Sequence, residues 1–159
     1  AIYREAHSAI LPKLVVEITE EEEMNERELE RKRNVPGAPG VFALDDYGSG
    51  YSNGNSLLTV SPKYVKVDMA IIRGIDTDAD KQQFLMTLID YAHPRGVQVL
   101  AEGVETLSEL RKVLEMGVDL LQGYCLARPA AEPGAIDEKA AEVIAEVERQ
   151  KAEREEAGS

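Results

Sequence analysis

The sequence predicts an α/β fold built on buried parallel strands, and three observations carry that expectation. Short apolar runs recur along the chain: Leu14-Val15-Val16, Val41-Phe42-Ala43-Leu44, Tyr64-Val65-Lys66-Val67, Val97-Gln98-Val99-Leu100-Ala101 and Val118-Asp119-Leu120-Leu121. Helical patterns and turn residues lie between the later runs, the alternation that a parallel sheet with crossover helices requires. Each run is closed or interrupted by charged or polar residues: Glu17, Asp45-Asp46, Lys66 and Asp68, Glu102 and Glu105, and Gln122. Groups at successive strand ends gather at one rim of such a sheet, and in barrels of this type that rim carries the chemistry. A carboxylate-rich rim with one lysine and one glutamine suits divalent-metal phosphoester chemistry. Hard cations take oxygen ligands, and a phosphate needs positive charge around it.

The elements follow in order. After the first run, Glu20–Arg33 is almost wholly charged, with Met24 and Leu29 as its large apolar residues, and Glu28 and Lys32 are spaced as a favourable i,i+4 pair. The spacing predicts a weakly docked surface helix, with a partner-binding arm as the alternative, and Asn34–Gly40 reads as a loop with a mobile tip. Between Asp80 and His93, Phe84, Leu85, Leu88, Ile89 and Ala92 form an amphipathic stripe that Pro94 and Gly96 terminate. Thr106-Leu107-Ser108-Glu109 is a capping-box pattern opening a helix with Leu110, Val113 and Leu114 on its apolar face, and Gly117 is placed to stop it in a left-handed cap. Glu132-Pro133-Gly134 marks a break before a last helix striped by Ile136, Ala140, Val143, Ile144 and Val147. The charged tail 148–159 is expected to fray or to be solvated.

Composition bounds the rest. With 159 residues and 43% apolar content the chain can bury one core. Its net charge of −12 excludes a general DNA- or RNA-binding surface. Metal ions can still supply the local positive charge that one anionic dinucleotide needs. Cys125 stands alone, so no internal disulfide forms and a reducing cytoplasm is expected. No apolar run approaches the roughly 18 residues of a membrane helix, so membrane contact by this segment is not expected. His7 and His93 lack partners at ligand spacing and read as surface residues; the four methionines read as core or rim fillers. The adjacent carboxylates of Asp45 and Asp46 repel each other unless a cation lies between them. Lys66, mid-strand in an apolar run, would read alone as a snorkelling lysine.

Together, Glu17-Ile18-Thr19-Glu20, Asp45-Asp46-Tyr47-Gly48-Ser49-Gly50-Tyr51-Ser52, Lys66-Val67-Asp68, Ala101-Glu102-Gly103-Val104-Glu105 and Gln122-Gly123-Tyr124 resemble the ordered motif set of EAL domains. These are bacterial phosphodiesterases that open cyclic di-GMP to linear pGpG. The resemblance spans residues 9–130 and implies a (β/α)8 TIM-barrel-like fold, here a partial barrel of about the last five β/α units. It implies a two-metal site for Mg²⁺ or Mn²⁺, with Glu17 and Asp45 on one ion and Asp45, Asp46 and Glu102 on the other. It further implies that Lys66 bonds the attacking water, that Glu102 accepts its proton, and that Gln122 stands near the nucleophile. Glu105 and Asp68 would support these groups, Glu20 would steady the Asp-Asp-Tyr-Gly loop, and Gly48 and Gly50 would give that loop its turns and its coupling to a dimer interface. The alternative is a non-catalytic cyclic di-GMP-binding, regulatory module.

The resemblance also predicts what lies outside the chain. No counterpart of the Glu-Ala-Leu strand or of the Asn-bearing strand after it occurs in Ala1–Leu11, and a (β/α)8 barrel typically has about 250 residues. The expectation is a partial EAL domain over residues 1–147, cut from a larger protein. Alone it should be a weak or inactive enzyme that associates as a homodimer or with the missing half-barrel.

Overall fold

The structure, a computed structural model, describes residues 14–19, 41–49, 57, 60–132 and 134–158. The chain separates into two compact units, Ala1–Lys66 and Val67–Ser159. Five strands are described, in the sheet order β1-β2-β3-β4-β5. β3 (Tyr64–Val67) belongs to both units, since its first three residues close one and Val67 opens the other. The expected Glu20–Arg33 helix, the Asn34–Gly40 loop, His7, Met24, Glu20 and Gly50 lie outside the described residues.

In the first unit β1 (Val15–Thr19) and β2 (Val41–Tyr47) pair in parallel, Val15 opposite Val41 through Thr19 opposite Asp45. β-Branched residues fill β1, and Ile18 is almost fully buried. In β2, Phe42, Ala43 and Leu44 are buried in succession. Such a run, covered on both faces, is what a parallel strand demands. Glu17 does not close the first run, as expected, but sits in the middle of β1, opposite Ala43. Ile18 and Thr19 carry the ladder past it, because period-two alternation lets Ile18 enter the core while Glu17 faces the other way. Asp45 and Asp46 likewise lie within β2. Leu57 and Val60, both helical and buried, add to this core.

The second unit follows the predicted alternation closely. Asp68 caps a single turn, α1 (Met69–Ile72), accepting from Ala70 N at 2.8 Å. α2 (Ala79–Ala92) starts at Asp78, whose carboxylate accepts from Asp80 N and Lys81 N, and buries Leu85, Leu88, Ile89 and Ala92. Pro94 and Gly96 end it in a 3-10 turn, His93–Arg95, with Gly96 in the left-handed conformation. β4 (Gln98–Ala101) pairs in parallel with β5 (Leu120–Leu121). Between them runs α3 (Leu107–Met116), opened by the complete Thr106–Glu109 capping box and closed by Gly117.

α4 (Glu138–Gly158) packs on α3 through Ala140, Val143 and Val147. Arg111 and Glu146 bridge the two helices at 2.6 Å. One expectation fails here and another holds in one of its two forms. Ile136 precedes the helix and is 45% exposed. The charged tail is solvated, the second of the two expected outcomes, and it does not fray: α4 stays helical to Gly158 with residues 148–158 mostly exposed. Ala, Glu, Lys, Arg and Gln are strong helix formers, so a helix already anchored by packing propagates through them without burial.

Candidate active site

In the first unit the parallel register sets Glu17 on β1 close to Asp45 on β2, and β3 brings Lys66 to both. Lys66 Nζ lies 2.9 Å from Glu17 Oε1 and 2.8 Å from Asp45 Oδ1. The lysine side chain is 12% exposed and Asp45 17%, whereas Glu17 is 55% exposed. Lys66 is therefore not a snorkelling residue. Its ammonium is held in a covered position by charge-assisted hydrogen bonds, which is how a mid-strand lysine escapes the cost of burial.

The Asp45-Asp46 pair has an unusual backbone. Asp46 has φ 55°, in the left-handed region where only Gly, Asn and Asp are at home. In a regular strand neighbouring side chains point to opposite faces. The turn at Asp46 breaks that alternation, and carboxylate oxygens of Asp45 and Asp46 come within 4.8 Å of each other. Asp45 Oδ1 also accepts from Asp46 N at 3.0 Å. Ser49 N closes the turn onto Asp46 O, with Gly48 at φ 98°. Glu17, Asp45 and Asp46 all present carboxylate oxygens, Glu17 and Asp45 to the Lys66 ammonium and Asp46 beside Asp45. That donor chemistry fits a hard divalent cation.

In the second unit Glu102 follows β4 directly, half-buried, with its amide bonded to Val67 O at 3.1 Å. Gly103 (φ 69°) is required by close approach as well as by conformation, since a Cβ there would stand 2.5 Å from Met69 Cβ. Gln122 donates its amide to Ala101 O at 2.9 Å and accepts Val104 N at 3.1 Å, so backbone bonds join the Glu102 and Gln122 segments. Its side chain is exposed. Asp68 spends its carboxylate on the α1 cap. Glu105 is ion-paired to Arg73.

Sequence reasoning missed Arg73 and the reach of Glu109. The capping box was legible, yet one Glu109 oxygen accepts from Gly74 N, 35 residues away, at 2.8 Å. Burial pushes the Glu109 carboxyl up, but bonds from the Gly74, Glu105 and Thr106 amides and the Thr106 hydroxyl outweigh it and hold the group below the ordinary value. His93 is a surface residue, as expected, and its ring hydrogen-bonds Asp119 Oδ2 at 3.0 Å, an oxygen that accepts Val99 N as well.

Parallel strands that carry a cluster of carboxylates around a held lysine define an α/β domain with an acidic, strand-borne site, and comparison with known proteins narrows the class. A profile of the EAL domain family matches residues 1–129, and the chain belongs to that family. Its fold is accordingly the TIM-barrel-like α/β fold of EAL domains, of which it carries a part.

The "Probable cyclic di-GMP phosphodiesterase PdeG" of Escherichia coli K12 is 32% identical over 73% of this chain and 23% of its own length. The "Probable cyclic di-GMP phosphodiesterase PdeD" of the same organism is 33% identical over 75% of this chain and 22% of its own length. The chain thus spans under a quarter of those relatives. A standalone EAL protein from Vibrio cholerae O395, bound to c-di-GMP, superposes with TM-score 0.74 at 30% identity, over 87% of this chain and 60% of that one. BlrP1 of Klebsiella pneumoniae, in complexes with cyclic di-GMP and calcium or manganese, gives TM-scores of 0.68 and 0.65 at 33% and 32% identity. These cover 77% and 73% of this chain and 32% and 30% of the other. Among the described residues no helix is long and apolar enough to cross a membrane.

Proposed function

We propose that this chain is the catalytic part of a cyclic di-GMP phosphodiesterase that yields linear pGpG. The observation that carries the reading is the Lys66 ammonium clasped by Glu17 and Asp45, with Asp46 turned to stand beside Asp45. Glu17, Asp45, Asp46 and Glu102 would hold two Mg²⁺ or Mn²⁺ ions, Asp45 serving both. When bound, such ions supply Lewis acidity at the phosphate and a water acidic enough to attack it. Lys66 keeps the two carboxylates together, donates toward the attacking water and offsets charge building at phosphorus. Glu102 takes the proton of that water, and Gln122 hydrogen-bonds beside it. Glu105, Asp68, Glu20, Gly48 and Gly50 hold the loops that carry these groups.

The parent protein would act in the cytoplasm, with residues 1–147 as a partial domain and 148–159 as a charged extension. The 159-residue chain alone would turn over slowly and associate with a second copy or with the rest of the barrel. The test is formation of pGpG by the parent protein with Mg²⁺ or Mn²⁺, followed by chromatography. Asp45→Asn is expected to lower turnover by several orders of magnitude. Near wild-type turnover in that variant would refute the metal assignment. Binding of cyclic di-GMP by the wild-type protein with no pGpG formed would select the regulatory module instead.

A further inference from the structure

Among the described residues Glu109 is the one charged side chain that is buried, at 5% exposure. A buried carboxylate is costly unless its oxygens are satisfied. Here they are satisfied by backbone amides from two segments. Oε1 accepts from Gly74 N at 2.8 Å, and Oε2 accepts from Glu105 N and Thr106 N, both at 3.0 Å. A capping box needs only the Thr106 contact, and glutamine supplies it as well as glutamate does. The other two bonds are therefore beyond what opening α3 requires. They fasten residues 105–106 to the turn after α1. Arg73, next to Gly74, pairs with the Glu105 side chain from the same turn. The loop that follows Glu102 is thus fixed by a side chain and by its backbone to one point.

We propose that Glu109 is a positioning residue that sets the 102–106 backbone, and through it the aim of Glu102 as a metal ligand. The proposal rests on the metal reading given above. Glutamine at this position has a single acceptor oxygen, so it cannot serve Gly74 and the 105–106 amides together, and one side of the tie is lost while the cap survives.

The test uses the full 159-residue chain with Mn²⁺ as probe, bound metal being read from the electron paramagnetic resonance signal of the free ion. Glu109→Gln is expected to weaken Mn²⁺ binding about 10- to 100-fold, the usual effect of removing a group that orients a ligand. Thr106→Ala, which removes the hydroxyl cap and leaves both carboxylate oxygens engaged, is expected to lower the thermal midpoint with Mn²⁺ affinity unchanged. Equal Mn²⁺ affinity in wild type and Glu109→Gln overturns the proposal, as does an equal loss in both variants. A wild-type chain that binds no Mn²⁺ overturns the metal reading itself. A measurement without variants stands beside these: amide hydrogen exchange in the wild type. Gly74 should exchange as slowly as the amides of α3, and rapid exchange there would also overturn the proposal.

Discussion

Gly123, the central residue of Gln122-Gly123-Tyr124, gives the sharpest prediction. A Cβ at this position would stand 2.1 Å from Val104 O, 2.4 Å from Val104 N and 2.7 Å from Val104 C. All three are backbone atoms, so no side chain can rotate away. Ordinary contact begins near 3.4 Å, and the Val104 and Gly123 segments would have to part by about 1.3 Å (3.4 less 2.1). Three bonds lie in that seam: Val104 N to Gln122 O at 3.1 Å, Cys125 N to Val104 O at 3.0 Å and Gln122 N to Ala101 O at 2.9 Å. Overpacking costs about 1–3 kcal/mol, and the net loss of one of these bonds adds about 1 kcal/mol. Gly123→Ala should therefore destabilise by about 2–4 kcal/mol, or about 4–16 °C in Tm for a domain of this size.

Gly96→Ala is the control. That glycine has φ 70° but nothing within 4 Å of its added Cβ, so only the left-handed conformation is penalised, at about 1–2 kcal/mol. Thermal melts of both variants against wild type provide the assay. Equal shifts, or a Gly123→Ala shift under about 2 °C, would refute the reasoning that close approach dictates this glycine.

Other perturbations follow from the same structure. Leu110→Ala, at a fully buried position of α3, should cost about 2–5 kcal/mol by chemical denaturation; a loss below 1 kcal/mol would contradict its place in the core. Glu109 has a depressed folded pKa, so its contribution to stability is complete above the unfolded carboxylate value and is lost as pH falls through the folded one. Wild-type Tm should consequently drop more steeply below roughly pH 4 than that of Glu109→Gln, and parallel profiles would count against this. Burial, aided by Asp137 and Glu109, pushes the Cys125 thiol up. Iodoacetamide should modify it slowly in the native chain at neutral pH and quickly after unfolding; fast native labelling would be inconsistent with that environment.

Much of the second unit was legible because its signals are local. Thr106, Gly96 and Gly117 act within a turn of their own position, and the α2 stripe buries the side its period indicates. The placement of Glu17 was less legible. A polar residue after three apolar ones looks like a stop, and only the pairing of Ile18 and Thr19 with Leu44 and Asp45 reveals a through-going strand. The helical persistence of 148–158 was missed because its stripe fades, although propensity alone sustains a helix once packing has started it. The Glu109–Gly74 and Arg73–Glu105 ties join residues more than thirty positions apart. No periodicity or spacing in one sequence encodes such contacts.

The left-handed backbone at Asp46 has a consequence at the level of mutation. Apart from glycine, asparagine is the residue that adopts this conformation most readily, and it matches aspartate in size. Aspartate and asparagine codons differ by a single nucleotide. One base change can thus strip a negative charge from the carboxylate cluster while leaving the turn, the ladder and the buried run Phe42–Leu44 undisturbed. Alanine, valine or leucine at the same position would instead force the backbone to give way. Loss of charge with the fold retained is therefore one mutational step away for this domain.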